Sequence, residues 1–349
     1  MSPPARRPVA LIGALLLLAA VVAGCATGDA AGTAQGSTEG DQSKGIPEGV
    51  VLRVGDQGQS QETLLRTSGQ LDGIPYKVEF KAFLSGPLLV QGFNAGEIDV
   101  GGLGDLPASG AVAAKIPVKA VAVSKSTGPT LILLARPGVD SIEALRGKKV
   151  AYTTGTAQQA FAIRSLHSVG LHQADVQQVD VALQQLGTVL EAGRADAAVV
   201  QAGDALRYED THPGAVRLAT SEKADPPIYG YSLATEKALA DKGRSAAVVD
   251  YTRRLVRASA WAQAHPDAWV KAYYVGVNHQ DPKFASRLNS VVGSQRYVPI
   301  DSSVSGSLQQ VVDLLASEGA IKERFDVGPL YDSKVSARYN AVLDQEASR

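Results

Sequence analysis

Val50-Val51-Leu52-Arg53-Val54-Gly55 is a mostly apolar run halted by a glycine, and it reads as a buried β-strand. Tyr76-Lys77-Val78-Glu79-Phe80 alternates in polarity and reads as a second strand. Leu64, Leu65 and Leu71 fall in a helical stretch between them. Strand, helix and strand joined by short turns form the unit from which parallel sheets are built, so the body opens as an α/β protein.

Working outward, one unit recurs. Leu88-Leu89-Val90-Gln91-Gly92-Phe93-Asn94-Ala95-Gly96 leads through Glu97-Ile98 to Asp99-Val100. Further on, Leu186-Gly187-Thr188-Val189-Leu190-Glu191-Ala192-Gly193 leads through Arg194-Ala195 to Asp196-Ala197-Ala198-Val199-Val200. Each reads as a short helix ending on a glycine suited to the left-handed cap, followed at once by a strand. Each strand then meets a Gly-Asp pair, Gly104-Asp105 and Gly203-Asp204. One copy in each half points to two related lobes. Arg136-Pro137-Gly138 interrupts the pattern, and Val150-Ala151-Tyr152 resumes it as a strand before a helix from Thr156 to Val169. Ile228 to Leu233 reads as the strand returning to the first lobe. Beyond it the chain turns helical, most clearly over Val248–Ala264 and Leu308–Ser317, and is expected on an outer face.

Composition narrows the function. The 349 residues carry 34 Lys and Arg against 35 Asp and Glu, which leaves no electrostatic footprint for nucleic acid. The single cysteine excludes an intramolecular disulfide framework and a cysteine-held zinc or iron–sulfur site. No G-x-x-x-x-G-K-[ST] loop, G-x-S-x-G elbow, H-E-x-x-H pair or dinucleotide glycine fingerprint is present. The reading is a binding protein rather than an enzyme, with no cofactor and no metal.

At the start, Arg6 and Arg7 precede an apolar run from Val9 to Val22 that is short for a membrane span. It ends in Val22-Ala23-Gly24-Cys25, which resembles the lipobox of bacterial lipoproteins. That resemblance implies a signal peptide over residues 1–24 and an acylated Cys25 as the mature N-terminus. Residues 25–49 are rich in Gly, Ala, Ser, Thr and Gln and read as a flexible tether.

Leu52-Arg53-Val54-Gly55, Ala95-Gly96-Glu97-Ile98-Asp99, Gly104-Asp105-Leu106-Pro107, Leu145-Arg146-Gly147-Lys148-Lys149-Val150-Ala151 and Gly155-Thr156 occur in order. Together they resemble landmarks of the ABC-importer solute-binding proteins for aliphatic sulfonates and taurine, with nitrate and thiamine-precursor binders as relatives. The resemblance implies a type II periplasmic-binding-protein fold: two lobes, each a mostly parallel sheet flanked by helices, joined by two crossover hinges. It places lobe 1 at residues 50–134 plus 236–349 and lobe 2 at 136–231. It also implies a monomer on the extracytoplasmic side, tethered to the membrane by its lipid. Such a protein delivers a sulfonate-like small organic anion to a permease driven by a separate ATPase. An enzyme or a ligand-sensing receptor on the same fold, or a binder of nitrate or a thiamine precursor, is the alternative.

Ligands of open α/β sheets sit beyond the carboxyl ends of the strands. Three turns answer to that position. Gln57 and Ser60 lie between the first strand and its helix, whose N-terminus offers N–H groups to an anion or simply takes Ser60 as a cap. Leu103, Gly104 and Asp105 form the second turn, where Asp105 is expected as an N-cap or as the partner of a ligand amine. Gly155, Thr156, Ala157 and Gln158 form the third and strongest candidate, with donors at a helix start. Relatives resembling this chain carry Trp-Asp-Pro where Gln201-Ala202-Gly203 stands here, so an aromatic wall is missing beside Gln201. Tyr229 and Tyr231 are the candidates to replace it.

Overall fold

The computed structural model describes residues 45–218 and 228–348. The signal sequence and Cys25 lie outside the described residues. The body starts earlier than its composition suggests. Ile46, inside the expected tether, is buried with Leu52, Val54 and Tyr251, because it is a large apolar side chain within reach of the first strand.

The strands, in chain order, are β1 (Val51–Gln57), β2 (Lys77–Phe83), β3 (Val100–Gly104), β4 (Val118–Ser126), β5 (Leu131–Ala135), β6 (Lys149–Tyr152), β7 (Gln177–Asp180), β8 (Ala197–Gln201), β9 (Val216–Arg217), β10 (Tyr229–Thr235) and β11 (Gln295–Val298). They form two sheets of order β11-β4-β10-β3-β1-β2 and β7-β6-β8-β5-β9. Each sheet is parallel where strand–helix–strand units build it, β1 with β2 and β3, and β6 with β7 and β8. It is antiparallel where a crossing strand joins, β10 in the first sheet and β5 in the second.

Alternate residues of β5 enter the two cores of the second sheet. Leu131, Leu133 and Ala135 face one, while Ile132 and Leu134 face the other. A strand apolar on every residue is what a sheet covered by helices on both faces requires. In the first sheet, Leu52 and Val54 pack under the helix Lys242–Ala264, and Leu103 and Ala120 pack on the opposite side with Val304 and Leu308.

The repeated Ala-Gly-x-x-Asp unit has one geometry in both sheets. Asp99 Oδ2 accepts from Arg53 N at 2.9 Å, and Asp196 Oδ2 accepts from Lys149 N at 2.9 Å. The guanidinium of Arg53 pairs with the first carboxylate and that of Arg136 with the second. Gly96 and Gly193 hold positive φ, 68° and 63°, which lets the chain reverse from helix to strand.

Helix Pro282–Val292 lies in the stretch expected with the first lobe, yet it packs on the second. Leu288 is buried among Ile132, Val200 and Leu206, and Arg287 pairs with Asp210 at 2.6 Å. The chain then returns through β11, and residues 292–294 zip onto the crossover between β4 and β5. Ser126 Oγ and Gly128 N donate to the Val292 carbonyl, and Thr127 N donates to Ser294 O. A Cβ on Gly128 would collide with the Val291 carbonyl, so the crossing fits only glycine.

On another flank the helices Asp105–Ala113 and Ser302–Ser317 meet Ala157–His167 of the second half. Leu106, Ala160, Ile163, Val311 and Leu315 are buried together there. Glu318 extends the contact, accepting from Gln173 N at 2.9 Å and lying 2.8 Å from His172 Nδ1. Its hydrogen bond and charge raise the His172 pKa above 6.5, with Asp175 adding to the shift and Arg146 opposing it. His167 stands 3.8 Å from the same carboxylate. A raised histidine stabilises most below its unfolded pKa and loses that contribution as pH rises through the folded value. The stability difference between the native chain and His172→Ala should therefore shrink between pH 6 and 8.5. Thermal melts at both pH values check this, and a constant difference would show that the contact does not depend on the proton.

Candidate functional site

A cleft of about 700 Å³ opens between the two sheets, beyond the carboxyl ends of β1, β3 and β8. Its walls include Gln57, Ser60, Leu103, Gly104, Thr156, Ala157, Gln158, Gln201, Tyr229 and Tyr231 from the sequence reading. Asp105 and Gly155 stand outside that lining. Asp105 is the first helical residue rather than the N-cap, which is Gly104. Its buried carboxylate accepts from Leu106 N at 2.7 Å and lies 3.5 Å from Arg164 Nη1, across the junction of the two halves. Burial pushes its pKa up and Arg164 opposes the shift. Gly155 takes φ 75° and donates its N–H to Gln159 Oε1 at 2.8 Å.

The two helix starts expected to attract an anion differ. At helix Ser60–Thr67 the position is filled from within, because Asp56 accepts from Gln61 N at 3.2 Å, Glu62 N at 2.9 Å and Ser60 Oγ at 3.3 Å. Gln59, in the left-handed region, precedes the helix without a side-chain cap. Gln57 turns its amide to the Gly102 carbonyl. A carboxylate already occupies that helix end, and its full charge outweighs the partial positive charge there, so a second anion gains little.

At helix Ala157–His167 the end is open. Thr156 donates its hydroxyl backward to the Thr153 carbonyl at 2.6 Å, so no side chain caps the first turn. Gln158 is only 5 % exposed, lines the cleft and makes no side-chain hydrogen bond among the described residues. Uncapped N–H groups and the partial positive charge of a helix start favour a negative group at this place.

The aromatic wall comes from a segment that the sequence analysis did not single out. Trp269 and Tyr273 stack at 4.7 Å with 8° between their planes, and Tyr274 meets both edge-on. All three line the cleft and are half-buried. They lie on a short helix, Pro266–Trp269, that continues as the π-helix Val270–Val277. The Trp-x-x-x-Tyr-Tyr spacing was the available signal, since residues four apart share a helix face. Beside Gln201, Leu288 of helix Pro282–Val292 comes within 3.3 Å of where a Gly203 Cβ would stand. A glycine there makes room for that helix.

Among the described lining residues no Lys, Arg or His occurs, and Asp56 is the one carboxylate. Burial raises its pKa, while the N–H groups of Glu62 and Gln61 and the Ser60 hydroxyl hold it down. Burial lifts the Tyr274 phenol to about 12. The wall is therefore a set of neutral donors, aromatic faces and a single acid.

Two α/β lobes around a cleft at the strand ends define a periplasmic-binding-protein fold. The alkanesulfonate-binding protein SsuA from Xanthomonas axonopodis pv. citri, solved with MOPS, superposes with a TM-score of 0.71 at 22 % identity, over 82 % of this chain and 99 % of that one. The sequence pattern described as NMT1/THI5 like matches residues 89–269, just over half of the chain, and the protein belongs to that family. A provisionally named aliphatic sulfonates-binding protein of Escherichia coli (strain K12) is 28 % identical over 151 residues, 42 % of this chain and 47 % of that relative. The match thus spans about half the length of that relative. A similarly named Bacillus subtilis (strain 168) protein is 25 % identical over 261 residues, 74 % of this chain and 76 % of its own.

Proposed function

We propose that the protein is the extracytoplasmic solute-binding component of an ABC importer, and that it captures a small organic acid of the sulfonate type in the cleft. The observation that carries this is the uncapped start of helix Ala157–His167, with the amide of Gln158 beside it. An acid head there gains hydrogen bonds from groups that otherwise face the cleft unpaired. Residues 50–134 with 236–349, apart from helix Pro282–Val292, act as one jaw, and residues 136–231 as the other. The bound solute is handed to a permease driven by a separate ATPase. The protein works as a monomer, held at the membrane through an acylated Cys25, and it releases its solute unchanged.

A thermal-shift screen tests this, using alkanesulfonates, sulfate, sulfate esters, nitrate, thiamine precursors and amino acids. A ligand at a hundred times its Kd stabilises by about 2.7 kcal/mol, which moves the midpoint by several degrees. Stabilisation by compounds bearing a sulfonate is the expected result. Stabilisation only by compounds without an acid group would move the head group away from Gln158.

A further inference from the structure

Resting on that reading, we propose that the solute is a zwitterion, with its acid head at the start of helix Ala157–His167 and an N-alkylated ammonium against the Trp269–Tyr273 pair beside Asp56. The cleft has two electrical poles. On the second sheet's side the helix start has no side-chain cap and is positive in character, and the nearby carboxylate of Asp180 is taken up by Thr154 N and Oγ1 in the turn before it. On the first sheet's side stand the Asp56 carboxylate and the negative faces of stacked rings. The two features adjoin, because the Tyr273 hydroxyl lies 3.5 Å from where a Gly58 Cβ would stand, in the turn that follows Asp56. A purely anionic solute meets no described cation in this wall and leaves the negative pole unused. A dipolar one matches both ends.

The form of the cation follows from hydrogen-bond capacity. Asp56 already accepts from Ser60, Gln61 and Glu62, so it supplies charge more than free acceptor positions. A primary ammonium brings three N–H donors that need acceptors. An alkylated ammonium presents CH groups, loses less hydration and is held by aromatic faces. The π-helical stretch sets Tyr273 and Tyr274 side by side after Trp269, and such irregular turns often serve functional positions.

Calorimetry on the full chain, at fixed salt, would compare three sulfonates of equal chain length: one unsubstituted, one ending in a primary amine and one ending in a trimethylammonium group. The trimethylated compound is expected to bind about tenfold more tightly than either of the others. Trp269→Leu should remove that advantage, so that the trimethylated compound binds within a factor of about two of the unsubstituted one whatever the variant does to sulfonate affinity overall. Trp269→Tyr, which keeps a ring face, should restore most of it and guards against a folding defect in the leucine variant. Equal binding of all three compounds would overturn the zwitterion and leave the sulfonate reading standing. A trimethylammonium alcohol that binds when no sulfonate does would overturn both the zwitterion and the acid-head reading. Silence from every compound would likewise overturn both.

Discussion

Asp99→Asn is expected to destabilise the protein by about 3 kcal/mol, a fall of roughly 6 °C or more in the thermal midpoint. Asp99 is 2 % exposed and accepts from Arg53 N, Arg53 Nε and Arg53 Nη2 at 2.8–3.0 Å, with Arg244 at 3.4 Å. These are charge-assisted bonds in a buried position, where losing the anion costs more than a surface pair would. The substitution should also change the acid limb of stability. Burial pushes the Asp99 pKa up, but the bonds from Arg53 prevail and leave it below 3.8. A depressed carboxylate contributes above its unfolded pKa and loses that contribution as pH falls through the folded value. The gap between native protein and variant should therefore be full at pH 7 and narrow below about pH 4. Denaturant titrations at pH 7, 5 and 3.5 measure it. A gap of under 0.5 kcal/mol at pH 7 would mean that the repeated Ala-Gly-x-x-Asp unit is held by its turns alone.

Thr156→Leu is expected to weaken solute binding by at least tenfold while costing only about 1 kcal/mol of stability. Thr156 is 3 % exposed, lines the cleft and ties its hydroxyl to Thr153 O. A leucine loses that bond and puts a branched apolar group at the helix start proposed for the acid head. Calorimetry with the best compound from the screen, paired with far-ultraviolet dichroism, separates the two effects. Unchanged affinity in a folded variant would place the acid head elsewhere in the cleft.

Local pattern made much of this protein legible. β1, β2, β6, β8 and the helix after Thr156 follow from apolar runs and glycine stops, because those signals lie within a few residues of one another. The turns after β1 and β3, and the one before helix Ala157–His167, line the cleft because strand ends in open α/β sheets do so generally. The return of Ile228–Leu233 to the first sheet was legible, but the side-chain contacts that shape the cleft were not. Asp56 closes the helix end where an anion was expected although it stands only four to six residues away, because the Gly58-Gln59 turn at positive φ folds it back onto Ser60, Gln61 and Glu62. Nothing in Pro282–Val292 reveals a choice between two apolar cores, since both cores offer the same kind of surface to an amphipathic helix.

Residue order alone encodes the layered α/β architecture, its two related halves and the turns that meet at the cleft. Those properties are encoded in periodicity, glycine placement and short-range hydrogen bonding. The tertiary structure alone decided the character of the cleft. It brought Trp269, Tyr273 and Tyr274 from the C-terminal segment to the side of the Asp56 turn, left the start of Ala157–His167 without a side-chain cap and buried Asp105 beside Arg164, outside the cleft lining. Charge and aromatic faces act through space over a few ångströms, so which of them a solute meets depends on packing between segments far apart in the chain.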